Sequence, residues 1–398
     1  MTCSVVQELD QARLYDAVSG AIRSGDAFAV LDPTWPQEFI EMATGQVDAA
    51  VLDGRVGTGD MVLFSSGSTG RPRGIVRTVE SWRPSLATLS DLTGITDKDH
   101  VWLPGPLWSS LFLYGAFHAG TVGARLSFRD DDRAQSSGAT ALHCVPSQLP
   151  GLLDRADAGG LPLVRVLVVA GDHLPAAVMQ RCGRAGWRVV EYYGSAELSF
   201  VAWRDDPGPF RSFPGVETEI RQGTLWARSP YLARGYLAAT AVPEMSSTPS
   251  LGLQDLNRTV PRFAESAGPF VVDSRGWGTV GDMARAVDGG MDVLGRGNLA
   301  VTTGGHTVVV EEVERLLRLV PGVEGIAVLG VPHPRLGQLL AAVVVGPALD
   351  ATLRAAVAGM PTPSRPRRWL HAQTLPMTSG GKLRRDALPD LVAELSRP

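Results

Sequence analysis

The chain is poor in lysine. Its 398 residues hold two, Lys98 and Lys382, so nearly all the positive charge is arginine. Arginine is a planar fork and lysine a compact, mobile point charge, so the abundant arginines cannot copy either lysine. Cysteine is also scarce. Cys3, Cys144 and Cys182 form no close-spaced set, and the last two, in apolar contexts, read as core thiols. The seven histidines show no ligand spacing, which argues against zinc. No apolar run reaches the ~18–20 residues of a membrane span; the longest candidate, residues 339–345, reads as a buried strand. The opening MTCSVVQELDQARL lacks the basic-then-apolar plan of a signal peptide, and the cytosol is the expected compartment. A net charge of −4 gives no reason to expect nucleic acid or an anionic membrane as partner. The Walker pattern G-x-x-x-x-G-K-[ST] is missing.

What is present is an ordinary globular composition, 44% hydrophobic and 20% charged, in a chain long enough for two or more domains. From about residue 25 to 240, short apolar runs alternate with helical stretches. The runs 61–64, 141–145 and 164–169 read as parallel strands covered on both faces, which points to α/β layers. Residues 216–221 alternate, end in Gln222-Gly223 and resume at 224–228, the pattern of a hairpin from a small β-barrel. Residues 241–270, rich in Ser, Pro and Gly, read as a long surface insertion. Residues 299–398 form a compact α+β unit, with strands near 299–302, 307–310, 323–330 and 340–346 and helices at 311–319 and about 350–359.

The most informative stretch is SSGSTGRPRG at 65–74, directly after the run Met61-Val62-Leu63-Phe64. Its glycines let backbone N–H groups turn toward a ligand. Ser65, Ser66, Ser68 and Thr69 offer hydroxyls, and Arg71 and Arg73 supply fixed charge. Such a loop suits a polyphosphate, although Gly/Ser/Thr clusters also occur as plain surface loops.

The loop resembles T-S-G-[ST]-T-G-x-P-K-G, the phosphate-binding signature of the adenylate-forming superfamily of acyl-CoA synthetases, peptide-synthetase adenylation domains and luciferases. Other segments follow in that superfamily's order. Residues 25–36 resemble G-a-x-x-x-P-L-D-P-x-x-P, and Tyr193-Gly194-Ser195-Ala196-Glu197 resembles Y-G-x-T-E. Val280-Gly281-Asp282 with Gly295-Arg296-Gly297-Asn298 resembles T-G-D…G-R-x-D. Gly304-Gly305 through Glu312-Val313-Glu314 resembles G-G…E-[IV]-E, and residues 375–382 resemble L-P-x-T-x-x-G-K. The match runs from about residue 20 to the end, so the chain reads as a member shortened at its N-terminus.

The resemblance implies an ATP-dependent ligase of a large α/β N-terminal domain, residues 1–297, carrying a small β-barrel, and a mobile α+β lid, residues 298–398. ATP, Mg²⁺ and coenzyme A would be its cofactors and co-substrates, and a small or medium apolar or aromatic carboxylic acid its substrate. Ser65, Ser66, Gly67, Ser68, Thr69, Gly70 and Arg73 would cradle the β- and γ-phosphates. Glu197 would hold Mg²⁺. Tyr193 would stack on adenine within the segment Gly194, Ser195 and Ala196, with Gly171 and Asp172 along its other side. Asp282 would accept the ribose hydroxyls, and Arg296 would lie near ribose and phosphate. Lys382 would approach the carboxylate, α-phosphate and bridging oxygen. Asn298 falls at the hinge, Gly304-Gly305 at the pantetheine tunnel, and Trp108, Ser109 and Phe112 at the acyl-pocket wall.

Three residues depart from the pattern: Ala196 for Thr, Arg73 for Lys, and Thr302 where Lys is frequent. Two alternatives stand beside a complete CoA ligase, the first motivated by Ala196 and the shortened N-terminus. One is a thioester-forming enzyme fed by an adenylate-supplying partner. The other is a ligase that loads a carrier-protein thiol. A non-catalytic nucleotide-binding scaffold would not need Lys382 and Glu197, and both are kept.

Overall fold

The computed structural model describes residues 3–65, 73–129, 138–172, 174–237, 270–296, 300–303, 306–333, 336–379 and 381–397. Its architecture is mixed α/β, built on four sheets. The first sheet places Cys3–Val6, Ala27–Val30 and Asp60–Ser65 side by side in parallel. Arg73–Thr78 then returns antiparallel to Asp60–Ser65, with Ser65 opposite Arg73. The phosphate-loop motif is therefore the connection of a β-hairpin, and its residues 66–72 lie outside the described residues.

The second sheet has seven strands. Arg125–Phe128, His100–Leu103, Ala141–Cys144, Val166–Val169 and Arg188–Ser195 run parallel, and Ser199–Arg204 and Arg211–Ser212 close it antiparallel. His100–Leu103, Ala141–Cys144 and Val166–Val169 are buried along their whole length, as expected when helices cover both faces. Helix Ser110–Val122 is apolar on nearly every side and buries Leu111, Phe112, Leu113, Tyr114 and Ala116. It stops at Gly123, whose φ of +78° supplies the left-handed cap. Cys144 and Cys182 are fully buried, as read from sequence.

The third sheet stands where the small barrel was expected. It is antiparallel throughout, and its end strands, Val271–Val272 and Gly290–Arg296, are not paired to each other among the described residues. Its hairpin Glu217–Arg221/Thr224–Arg228 turns at Gln222 and Gly223 with φ of 49° and 80°, the pair of positive values a type I′ turn demands. Of the expected insertion 241–270, residues 241–269 lie outside the described residues, and Phe270, read as its last residue, is buried.

The fourth sheet joins His306–Val309, Ala300–Thr303, Gly337–Val345 and Gly325–His333, with Arg368–Ala372 parallel to Gly337–Val345. Helices Val310–Leu317, Asp350–Ala356 and Leu388–Leu395 pack on it. Glu314, fully buried, receives Arg385 at 2.8 Å, Arg318 at 3.2 Å and the Val328 amide at 2.7 Å. A buried carboxylate with two cations and an amide is satisfied, so this part of the E-[IV]-E segment is architecture. No helix among the described residues is long and apolar enough to cross a membrane.

Candidate active site

A cleft of about 50 Å³ opens at the carboxyl ends of the parallel strands, where ligands bind in open α/β sheets. Ala170 and Gly171 follow Val166–Val169, while Tyr192, Gly194 and Ser195 end Arg188–Ser195. Ser110, Leu111 and Tyr114 come from one face of helix Ser110–Val122. Lys382 enters from the far end of the chain. A Cβ at Gly171 would lie 3.4 Å from Lys382 Cε, and at φ +100° this position favours glycine in any case.

The segment carrying Lys382 is a tight loop. The Thr378 amide bonds to the Lys382 carbonyl at 2.7 Å, and the Lys382 amide to Thr378 Oγ1 at 3.0 Å. Three contacts tie the loop to the large body. Ser379 Oγ donates to Asp32 Oδ2 at 2.6 Å, the Trp108 indole N–H donates to Ser379 Oγ at 3.2 Å, and Ser147 Oγ donates to the Gly381 carbonyl at 3.1 Å.

Glu197 is 3% exposed. Its Oε1 accepts the Tyr236 hydroxyl at 2.9 Å, and Oε2 takes no protein hydrogen bond among the described residues. A buried carboxylate with one oxygen uncommitted suits a hard cation. Burial, reinforced by Glu197, holds the Tyr236 hydroxyl protonated far above the usual range, so it stays a donor. Tyr193 donates its hydroxyl to Asp282 Oδ2, which joins the tyrosine expected at adenine to the aspartate expected at ribose. Asp282 pairs across its hairpin with Arg296, so the G-D and G-R motifs face each other as backbone partners.

Several site residues were not evident from sequence. Arg77, 1% exposed, holds the Ala196 carbonyl at 2.7 Å, the Tyr231 carbonyl at 2.6 Å and Ser199 Oγ at 2.9 Å. It thereby fixes the turn between Gly194 and Glu197 to the strand that leaves the phosphate loop. Trp82, Tyr192 and Phe200 complete an aromatic wall with Tyr114. Of the residues expected at that wall, Trp108 faces Ser379, and Ser109 precedes the helix without capping it through its side chain. Phe112 covers Gly105, where a Cβ would fall 2.0 Å from its ring. The cleft takes Ser110, Leu111 and Tyr114 in their place; the helical phase of the run, i and i+3, was the available signal. Asp172 is exposed beside the cleft. Ser66 to Gly70, Asn298, Gly304 and Gly305 lie outside the described residues, as do the side chains of Ser65, Arg296 and Thr302.

A cleft at the strand ends, lined by a lysine from the C-terminal segment, defines an α/β protein with a small-ligand site at its sheet edge. The profile of the AMP-binding enzyme family matches residues 60–237, and that of the AMP-binding enzyme C-terminal domain matches residues 312–382. An uncharacterised acyl-CoA ligase of Bacillus subtilis is 29% identical over 362 residues, covering 83% of this chain and 68% of that one. A probable 2-succinylbenzoate–CoA ligase of Mycobacterium tuberculosis is 30% identical over 350 residues, covering 82% of this chain and 83% of that one. Among solved structures, the Bacillus subtilis O-succinylbenzoate coenzyme A synthetase in complex with AMP superposes with a TM-score of 0.73 at 17% identity, over 97% of this chain and 88% of that one. The chain belongs to the adenylate-forming superfamily of AMP-binding enzymes, within its AMP-forming acid–thiol ligases.

Proposed function

We propose that the chain converts a small aromatic or apolar carboxylic acid to its adenylate and passes the acyl group to the thiol of coenzyme A. The observation that carries this reading is Lys382 lining the cleft together with Gly171, Gly194 and Ser195. In the first half-reaction a carboxylate oxygen attacks the α-phosphorus of ATP, the bond to the bridging oxygen breaks, and pyrophosphate leaves. Charge grows on the bridging oxygen, and a positioned ammonium stabilises it as it forms. In the second, the thiol sulfur, having lost its proton, attacks the acyl carbon, the bond to the phosphate oxygen breaks, and AMP leaves.

Residues 65–70 with Arg73 would hold the outer phosphates, Tyr193, Gly171 and Asp172 the adenine, and Asp282 with Arg296 the ribose. Glu197 would hold Mg²⁺, which supplies neutralising charge at the phosphates. Residues 298–398 would act as the lid, turning at Asn298 and presenting Gly304-Gly305 to the pantetheine arm. The narrow cleft walled by Trp82, Tyr114, Tyr192 and Phe200 favours a small acid with a flat or apolar body.

The test is a panel of aryl and alkyl acids with ATP, Mg²⁺ and CoA, read by pyrophosphate release and acyl-CoA mass together. A small aromatic acid is expected to give both products. Folded protein that makes neither with any acid overturns the reading. Acyl-CoA formed only from a supplied adenylate would leave the second half-reaction alone. Product formed only on a carrier-protein thiol would replace the acceptor.

A further inference from the structure

We infer that Asp32, Ser379 and Trp108 form a latch that holds Lys382 in its adenylating position, and that its release is the step that frees the lid for thioester formation. The inference rests on the two-step reading above and assigns to three residues a task that the chemistry itself does not.

The node joins segments 347 positions apart in sequence. Asp32 lies just beyond the buried strand Ala27–Val30 and is 7% exposed. Its Oδ1 is taken locally, by the Thr34 amide at 2.9 Å and the Thr34 hydroxyl at 2.6 Å. Its Oδ2 accepts the Ser379 hydroxyl at 2.6 Å, a charge-assisted bond. Ser379 in turn accepts from the Trp108 indole N–H. Ser379 is three residues from Lys382, on a loop whose own backbone bonds fix their relation.

A second anchor lies beyond Ser379. Gly381, at φ +77°, lets the backbone come so close to the body that a Cβ would meet Val145 Cγ2 at 2.9 Å and Ser147 Oγ at 3.0 Å. The loop thus docks by hydrogen bonds at Ser379 and at Gly381, both just ahead of the lysine. If the lid swings away, Oδ2 and the indole N–H lose their partner together. Water can replace Ser379 on exposure, so the latch is reversible and modest in strength, as an alternating device requires.

Ser379 and Asp32 are positioning residues, acting through Lys382. Ser379→Ala and Asp32→Asn are each expected to lower pyrophosphate exchange about tenfold, the loss of one charge-assisted bond. Thioester formation from a supplied acyl-adenylate should stay within about twofold or rise. Ser379→Thr keeps the hydroxyl and should restore most of the exchange. Equal loss in both half-reactions, or none in either, overturns the latch. Hydrogen–deuterium exchange on the full chain decides independently of any acid: both variants should speed exchange in residues 375–384, and unchanged protection overturns the proposal. Failure of the wild-type protein to exchange pyrophosphate with any acid would instead sink the functional reading and leave the protection result to judge the latch.

Discussion

At the scale of single residues, the proposed chemistry rests on Lys382, a side chain that 35 arginines cannot imitate. Lys382→Ala is expected to cut pyrophosphate exchange by at least about a hundredfold, as when a preorganised transition-state donor is removed. Thioester formation from a supplied adenylate should survive. Lys382→Arg should not rescue exchange, because a planar fork cannot occupy the space of a point charge beside Gly171. Tyr236 deserves the same scrutiny: Tyr236→Phe removes the donor from Glu197 Oε1 and is expected to raise the Mg²⁺ concentration needed for half-maximal rate, measured by titration, with little change at saturating metal. Lys382, Glu197, Asp282 and Tyr193 were legible because motif spacing carries them. Tyr236 and Arg77 were not. Their partners lie 39 and 119 residues away, and a lone Tyr or Arg carries no local signal of such a bond.

At the scale of elements, apolar runs marked the buried parallel strands, since a strand covered on both faces has no polar alternation to blur it. Arg73–Thr78 and Arg368–Ala372 escaped because charged residues sit among their apolar ones, as RGIVRT and RWLHA, and only pairing with a neighbour makes them strands. The aromatic wall of the cleft shows the same limit: in PLWSSLFLYG, which residues face the cleft depends on where the first turn of helix Ser110–Val122 begins. Trp82 shows what the wall does. Its ring lies 5.2 Å from Tyr114 and 5.8 Å from Phe117, and it lines both the cleft and a neighbouring cavity of about 360 Å³ between helices Gln11–Ser24 and Ser110–Val122. It is a partition. Trp82→Ala should join the two spaces and raise kcat/KM for long or bulky acids relative to small ones, read on the same acid panel. The variant should also lose about 3–5 kcal/mol of stability in denaturant titration, and Trp82→Leu should show a weaker form of both effects.

At the scale of the whole molecule, buried titratable groups set the pH range of stability. Burial lowers His118 from 6.5 to about 4, and burial with the neighbouring His118 lowers His143 to about 3. The two rings lie 6.1 Å apart, and neither nitrogen of His143 has a hydrogen-bond partner among the described residues. Below pH 6.5 the unfolded chain takes up protons that the folded one refuses, so stability falls as pH falls, until the folded values near 4 and 3 are passed. Burial raises Glu311 from 4.5 to about 7, which has the opposite sense: between those values the unfolded state sheds a proton the folded state keeps, and stability falls as pH rises. Burial raises Glu191 in the same sense as Glu311, so two carboxyls oppose the two histidines between pH 4.5 and 6.5, and their balance sets where the maximum falls. Urea midpoints from pH 4 to 8 should trace it, and His143→Leu should flatten the acid side by the share of one proton.

The scarcity of lysine has a practical consequence. An amine-directed reagent meets few targets on this chain: the N-terminus and the two lysines, Lys98 and Lys382, both exposed. Mass spectrometry of two labelled peptides can therefore follow both lysines: under the proposed function, ATP with an acid should slow labelling at Lys382 and leave Lys98 unchanged. The native protein carries its own probe of the proposed site, with no engineered label needed.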